Sequence, residues 1–312
     1  MSHVGDRECD GRLRSGAVTG TGRGLVRVGT SGWTYDSWQG SFFPDGLARR
    51  RRLEFLSGRL DAAEVNGTFY SLQRASSFRT WAAATPEDFR FAVKGSRYIS
   101  HMRKLRGVEE ALGRFLASGL LALGPKLGPV LWQLPPNLGW DAERIGEFLA
   151  MLPRTTGAAA ALAADHTDRV PDPCTVTDED RPMRYALEVR HPSFRTPDAV
   201  ELLRAQDVAL VVSDSAGEFP CFDDVTADLV YVRLHGHDEL YRSGYDAAAL
   251  DGWAAKVTAW AAGEAPVSGD TIAPSAPPPV APREVLVFFD NDAEGHAPHD
   301  AVALRDAVAA RR

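Results

Sequence analysis

From Leu25 onward the chain alternates eight times between a short β-branched or aromatic run bounded by turn residues and a segment whose apolar residues recur at helical spacing. The runs are Leu25 to Thr30, Ala62 to Asn66, Phe89 to Lys94, Val130 to Leu134, Tyr185 to Val189, Val208 to Ser213, Leu229 to Leu234 and Val285 to Asp290. Helical spacing marks Leu47 to Leu56, Glu109 to Leu123, Ile145 to Leu152, Ala199 to Leu203 and Leu250 to Trp260. Apolar strands linked through helices form a parallel sheet covered on its outer face. Eight such units in about 290 residues predict closure into a single (β/α)8 TIM-type barrel, with an open doubly wound sheet as the alternative.

Gly20-Thr-Gly-Arg-Gly24 precedes the first strand, so it cannot be the phosphate-binding turn of a dinucleotide fold, and residues 1–24 are expected to be a flexible leader. Two stretches interrupt the alternation: residues 155–182, Ala-rich and then Pro/Asp-rich, and residues 263–282, rich in Gly, Ser and Pro. Both precede strands and are expected as insertions in αβ connections, on the face opposite a barrel's active site.

The bulk composition narrows the class. The 312 residues are 44% hydrophobic and 25% charged, ordinary values for a chain that folds around its own core without staples. Cys9, Cys174 and Cys221 are odd in number and share no CxxC spacing, which suits a reducing compartment and excludes a cysteine metal cluster. No signal-peptide core and no run of about 20 apolar residues is visible, so a cytoplasmic protein without membrane contact is expected. A net charge of −7 argues against wholesale wrapping of nucleic acid, while leaving local basic patches open.

Polar residues fall in step at the downstream ends of the strands. Glu64/Asn66, Glu188/Arg190 and Arg233/His235 are spaced i, i+2, so each pair lies on one face of its strand, and Lys94, Gln133, Asp214 and Asp290 end four more. In a barrel that ring is the catalytic face. A Glu/Arg pair at a strand end can also be an ion pair closing the barrel mouth, and a lone Gln or Asn can serve loop amides. Lys94, Arg190 and Arg233 would bind an anion while a carboxylate or His moves a proton. Glu64, Glu188, Asp214 and His235 could instead hold a divalent Zn, Mn or Mg, although interleaved Lys and Arg would compete for the same carboxylates.

Arg49-Arg-Arg-Arg52 opens the first helix against its macrodipole, and Arg97, His101, Arg103, Lys104 and Arg106 follow the third strand. Converging at the rim, these clusters would favour a nucleic acid; dispersed, they are a solvated basic surface. Trp33, Tyr35, Trp38, Phe69, Tyr70 and Tyr98 crowd the same rim, either to stack on a ring or to cap the barrel by packing.

The strand-end motifs resemble those of the YecE-like family, domain of unknown function 72. They are Gly29-Thr-Ser-Gly-Trp33, Phe43-Pro44, Glu64-Val-Asn-Gly-Thr-Phe-Tyr70, Phe91-Ala-Val-Lys94, Gln133-Leu-Pro-Pro136, Glu188-Val-Arg-His191, Tyr231-Val-Arg-Leu-His-Gly236 and Phe289-Asp-Asn291. The resemblance implies a TIM-type barrel and no settled reaction. This chain departs from the pattern at Asp290 and Asp300, where the family leads one to expect Asn, and at Phe194, where Trp is usual. An analogy of fold with endonuclease IV-like nucleases meets a shortage of His, since only His101, His191, His235 and His296 lie near strand ends or rim loops.

Three functions follow as expectations. One is an enzyme, hydrolase or lyase, acting on a phosphate- or carboxylate-bearing ligand. It would use Glu188 and His235 as the acid/base pair, supported by Asp214 and Glu64, with Lys94, Arg190, Arg233, Asn66, Gln133, His101, Trp33, Tyr70, Asp290 and Asn291 in ligand binding. The second is a metal-dependent phosphodiesterase working on nucleic acid along the basic rim. The third is a non-enzymatic module binding a nucleic acid or small anion.

Overall fold

The structure, a computed structural model, describes residues 24–264, 270–273 and 281–311. The expected leader, except Gly24, lies outside them, as do Cys9 and most of the second insertion.

The strands are β1 (Leu25–Ser31), β2 (Ala62–Val65), β3 (Arg90–Lys94), β4 (Leu127–Gln133), β5 (Tyr185–Glu188), β6 (Val208–Leu210), β7 (Val212–Asp214), β8 (Leu229–Leu234) and β9 (Glu284–Phe289). All pair in parallel, in the order β6-β5-β4-β3-β2-β1-β9-β8-β7. Only Val211 separates β6 from β7, so both edges of that order belong to one stretch of chain and the sheet is a nearly closed barrel. The single sixth strand expected over Val208 to Ser213 is therefore divided. Thr226 supplies the reason: its hydroxyl accepts from the Leu210 N–H at 2.7 Å and donates to the Val208 carbonyl at 2.6 Å, satisfying groups that a neighbouring strand would otherwise pair. Pairing with β8 resumes at Val212.

Side chains pointing to the axis change character along each strand. A lower layer is apolar and alternates small with large: Ala62, Ala92, Ala186 and Ala209 leave room for Tyr231 and Phe288, whose rings lie 5.1 Å apart. Two residues further on, Ala62 gives way to Glu64, Ala92 to Lys94, Leu131 to Gln133, Ala186 to Glu188, Tyr231 to Arg233 and Phe288 to Asp290. A strand's period of two thus brings polar side chains from six strands to one level without disturbing the packing beneath.

The covering helices are α1 (Arg52–Ser57), α2 (Gly67–Tyr70), α3 (Ala75–Ala83), α4 (Glu109–Ala117), α5 (Ala142–Met151), α6 (Thr156–Ala164), α7 (Pro197–Ala205), α8 (Ala247–Ala262) and α9 (Ala297–Ala309). Capping sets several boundaries: the side chains of Asp141, Thr155 and Asp246 accept from backbone amides in the first turns of α5, α6 and α8, and Gly263, at φ 90°, ends α8. The expected Glu109 to Leu123 helix stops at Ala117 because Gly119 adopts φ 117°. The first insertion is ordered around α6, and its Asp172 carboxylate accepts from the Ser76 N–H at the start of α3. No helix among the described residues is long and apolar enough to cross a membrane.

Gly29 sits where β1 and β2 approach closely, and a Cβ there would lie 2.1 Å from the Ala62 carbonyl oxygen. Gly29→Ala should lower the unfolding free energy by about 1–3 kcal/mol, seen as a lower urea midpoint at unchanged slope. An unshifted midpoint would show that the two strands part without cost.

Candidate active site

Arg233, at the end of β8, is fully buried on the barrel axis and organises everything above it. Its guanidinium holds Glu64 through two bonds of 2.8 and 3.1 Å, Glu188 at 2.9 Å, Asp290 at 3.1 Å and the Ser31 hydroxyl at 3.2 Å. The acceptors are themselves filled. Glu64 also accepts from the Tyr231 hydroxyl at 2.7 Å and from Ser31 at 3.1 Å, and Glu188 from Gln133 at 2.8 Å and from Arg190 at 2.9 Å. His235 lies 3.0 Å from Asp290 through Nδ1 and 3.4 Å from Arg233 through Nε2, so that Nδ1 donates and Nε2 accepts.

The electrostatics follow from this packing. Burial would raise the Glu188 carboxyl, but Arg233, Arg190, His235 and Lys94 outweigh it and hold the group well below the usual carboxylate range. Asp290 is likewise held down against burial by Arg233 and His235. Three carboxylates, Glu64, Glu188 and Asp290, face three cations, Arg233, Arg190 and Lys94. An Asn at 290 would leave that layer with one more positive charge, so the departure from the family pattern is absorbed at Arg233 and His235. Asp300 is absorbed in the same way, accepting from Asn291 at 2.8 Å and from the Tyr245 amide at 3.1 Å.

Above this layer opens a cleft of about 780 Å³ whose walls include Tyr35, Asn66, Lys94, His101, Arg190 and Asp292. Of the residues expected at the site, Tyr70, Gln133 and Asp290 also line it. Glu64, Glu188, Arg233 and His235 form the buried layer beneath. Asp214 stands apart, accepting from Tyr245 at 3.1 Å, and Asn291 is buried under a loop, donating to the Ser243 carbonyl. Trp33 packs edge-on against Trp81 and Phe91 and borders a smaller side cavity. The donor set Glu64, Glu188, Asp214 and His235 does not assemble: Arg233 fills the space between its carboxylates, and among the described residues no group of three or more His, Cys, Asp or Glu is placed to hold a metal.

Lys94 differs from its neighbours. It is buried, yet its ammonium has no hydrogen-bonding or ion-pairing partner among the described residues; the Phe69 ring centroid lies 4.7 Å away. Burial and then Arg233 push its pKa down, against Glu64, Glu188 and Asp290. His101, bonded through Nδ1 to Ser100 at 3.0 Å, is lowered to about 4 by burial and then by Lys94, Arg190 and Arg97, so it is neutral at pH 7. Asp292, which takes the Trp38 indole N–H, is pushed up to about 6 by burial and by Asp290. Asp292 escaped the sequence reading although Asp290/Asp292 repeats the i, i+2 rule on the last strand. Tyr241, whose hydroxyl accepts from Arg190 at 3.2 Å, sits in a loop with φ 64° and gave no periodic signal.

The two basic clusters are separated in their bonding. Arg49 and Arg52 pair with Asp36, Arg51 pairs with Glu54, and Arg52 is buried against the Thr34 and Tyr35 carbonyls. Arg49 and Arg52 thus anchor the loop after β1. In the second cluster Arg97 and His101 line the cleft.

A family model described as protein of unknown function DUF72 matches residues 27–312. The chain belongs to the DUF72 family. It is 26% identical to the UPF0759 protein YecE of Escherichia coli over 171 residues, covering 54% of this chain and 50% of that protein. To the UPF0759 protein YunF of Bacillus subtilis it is 30% identical over 127 residues, covering 39% and 44%. The chain thus spans about half the length of the curated relatives it matches. Among solved structures, a DUF72 family protein from Thermotoga maritima superposes with a TM-score of 0.68 at 22% identity, covering 91% of this chain and 99% of that one. One from Enterococcus faecalis superposes with a TM-score of 0.62 at 18% identity, covering 91% and 96%. These likenesses establish the TIM-like barrel of this DUF72 chain.

Removing Arg233 from the DUF72 barrel would leave three buried carboxylates facing one another. Arg233→Met should cost about 3–5 kcal/mol at neutral pH. The cost should shrink as the pH falls and those carboxyls take up protons, because the variant's folded state would then bind protons more tightly than its unfolded chain. Chemical denaturation at pH 7 and pH 5 measures both, and a loss independent of pH would contradict the ion cluster as its origin.

Proposed function

We propose that the protein is an enzyme that binds a small phosphate- or carboxylate-bearing ligand at the barrel mouth and moves a proton on it. Lys94 carries the reading. A buried ammonium without a partner costs stability, and this one opens onto a cleft whose walls add Arg97 and Arg190. An anionic group seated there gains charge-assisted hydrogen bonds that the protein itself leaves unmade.

The proton-transfer role falls to Asp292. The pair expected for it, Glu188 and His235, has its polar atoms engaged with Arg190, Gln133, Arg233 and Asp290, and in this reading positions the cations. The Asp292 carboxyl changes charge near pH 6 and faces the cleft, where a general base for neutral conditions belongs. Neutral His101 lines the same cleft and offers a hydrogen bond without adding charge.

Lys94→Met separates function from stability. The variant should melt higher than the parent, because a buried unpaired charge is gone, while its thermal stabilisation by inorganic phosphate and small carboxylates should weaken about tenfold or more. Ligand responses equal to the parent's would overturn the reading. Oligonucleotide binding with a steep salt dependence that survives Lys94→Met would move the partner to the rim around Arg97 and Arg106.

For the ligand returned by that screen, turnover should fall as the pH drops through about 6, where Asp292 takes up its proton. Asp292→Asn should remove that limb and slow the reaction by about 10²–10⁴. A limb that persists in Asp292→Asn would assign the base elsewhere.

A further inference from the structure

The cleft contains an amine where the rest of the chain uses guanidines. Only four of its 35 Lys and Arg residues are lysines. Two of them do structural work among the described residues: Lys126 donates to the Ala82 and Thr85 carbonyls at 2.6 Å each, and Lys256 pairs with Asp223 at 2.6 Å beside the Trp253 and Trp260 rings. Lys104 lies in the loop after β3 at φ 48°. Lys94 alone of the four is buried with no partner for its nitrogen among the described residues, and it ends a barrel strand at the floor of the cleft. An anion needs only a cation, which Arg supplies with more donors and no loss of charge. What Lys can do and Arg cannot is shed its proton and use the lone pair.

We propose that Lys94 is an imine-forming nucleophile, and that the ligand carries an aldehyde or ketone carbonyl beside its anionic group. This rests on the anion-binding reading above and narrows it to oxo acids and carbonyl phosphates. Arg190 and Arg97 hold the anion, and Lys94 meets the carbonyl. Arg190 is fixed for that task by Glu188 at 2.9 Å and by Tyr241 at 3.2 Å.

The step balances without an outside redox partner. The Lys94 ammonium gives one proton, relayed through solvent in the cleft that both residues line, to the Asp292 carboxylate, and the freed lone pair attacks the carbonyl carbon. The C=O π pair moves to oxygen, which takes a proton from the attacking nitrogen through solvent, giving a neutral carbinolamine. Asp292 returns its proton to that hydroxyl, the C–O bond breaks, and water leaves behind a protonated imine. The sum is ammonium plus carbonyl giving iminium plus water. The positive iminium then draws electrons from the adjacent carbon, which suits a lyase that breaks a C–H or C–C bond there.

The test uses the whole protein with sodium cyanoborohydride, which reduces an imine to a stable secondary amine, and with glyoxylate, pyruvate and dihydroxyacetone phosphate as probes. Peptide mass mapping reads each lysine separately. Lys94 should be labelled about tenfold or more above Lys104, Lys126 and Lys256, since it alone of the four is buried at the cleft with no partner for its nitrogen among the described residues, while Lys126 is held by carbonyls and Lys256 by Asp223. Excess inorganic phosphate should suppress the labelling at Lys94 and leave the other three unchanged. If the same probes stabilise the protein thermally but Lys94 is labelled no more than the other lysines, the imine is overturned and anion binding stands. If the probes neither stabilise the protein nor label Lys94, both readings fall.

Discussion

A single guanidinium on the barrel axis holds the upper half of this structure together. Arg233 has no contact with water, and three carboxylates converge on it. Such a cluster is poor value as a source of stability, because desolvating the charges consumes most of what their attraction returns. Its worth is geometric. With Glu188 held by Arg233, its remaining oxygen fixes Arg190, which in turn reaches Tyr241; with Asp290 held, His235 is fixed beside it. The floor of the cleft is thereby set to one arrangement by a network in which few polar atoms are left over.

The exceptions to that saturation are informative because they are few. Among the described residues, the buried side-chain atoms lacking a hydrogen-bond partner include Asn66 Oδ1, and Asn66 lines both the main cleft and the side cavity. Lys94 is a different case: its side chain is buried, and its ammonium, without a partner among the described residues, borders the cleft. A network that satisfies Glu64, Glu188, Asp290 and Arg233 while leaving a buried amide oxygen unpaired and an ammonium at the edge of the cleft separates the residues that build the floor from those it leaves without a partner.

Much of this architecture was legible in the sequence because its determinants are local. Strand runs and the i, i+2 spacing of Glu64/Asn66, Glu188/Arg190 and Arg233/His235 depend on a period of two, which survives any arrangement of the loops. What escaped depends on residues far apart in sequence. The division at Val211 is made by Thr226, and Arg49 and Arg52 are neutralised by Asp36 from the preceding loop. Helix starts at Asp141 and Asp246 could have been read from capping, whereas the roles of Glu188 and His235 could not: composition places a carboxylate at a strand end but does not say how many donors will meet it.

That distinction bears on how a charged strand end should be read. The residue types that announce a catalytic face are the same types that build a buried ion cluster, and here such a cluster lies directly beneath the cleft. Position along the strand separates them. Glu64, Glu188 and Arg233, first of their i, i+2 pairs, sit in the sealed layer; Asn66 and Arg190, second of theirs, reach the cleft. The last strand follows the same order, Asp290 bonding downward to Arg233 and His235 while Asp292 faces outward with a raised pKa. His235 is the exception, since Tyr241 lies edge-on above its ring, 5.3 Å away, and closes it off. The cleft's chemistry is therefore sought one pleat above the residues that first draw the eye, with Lys94, at the level of the sealed layer, still opening upward.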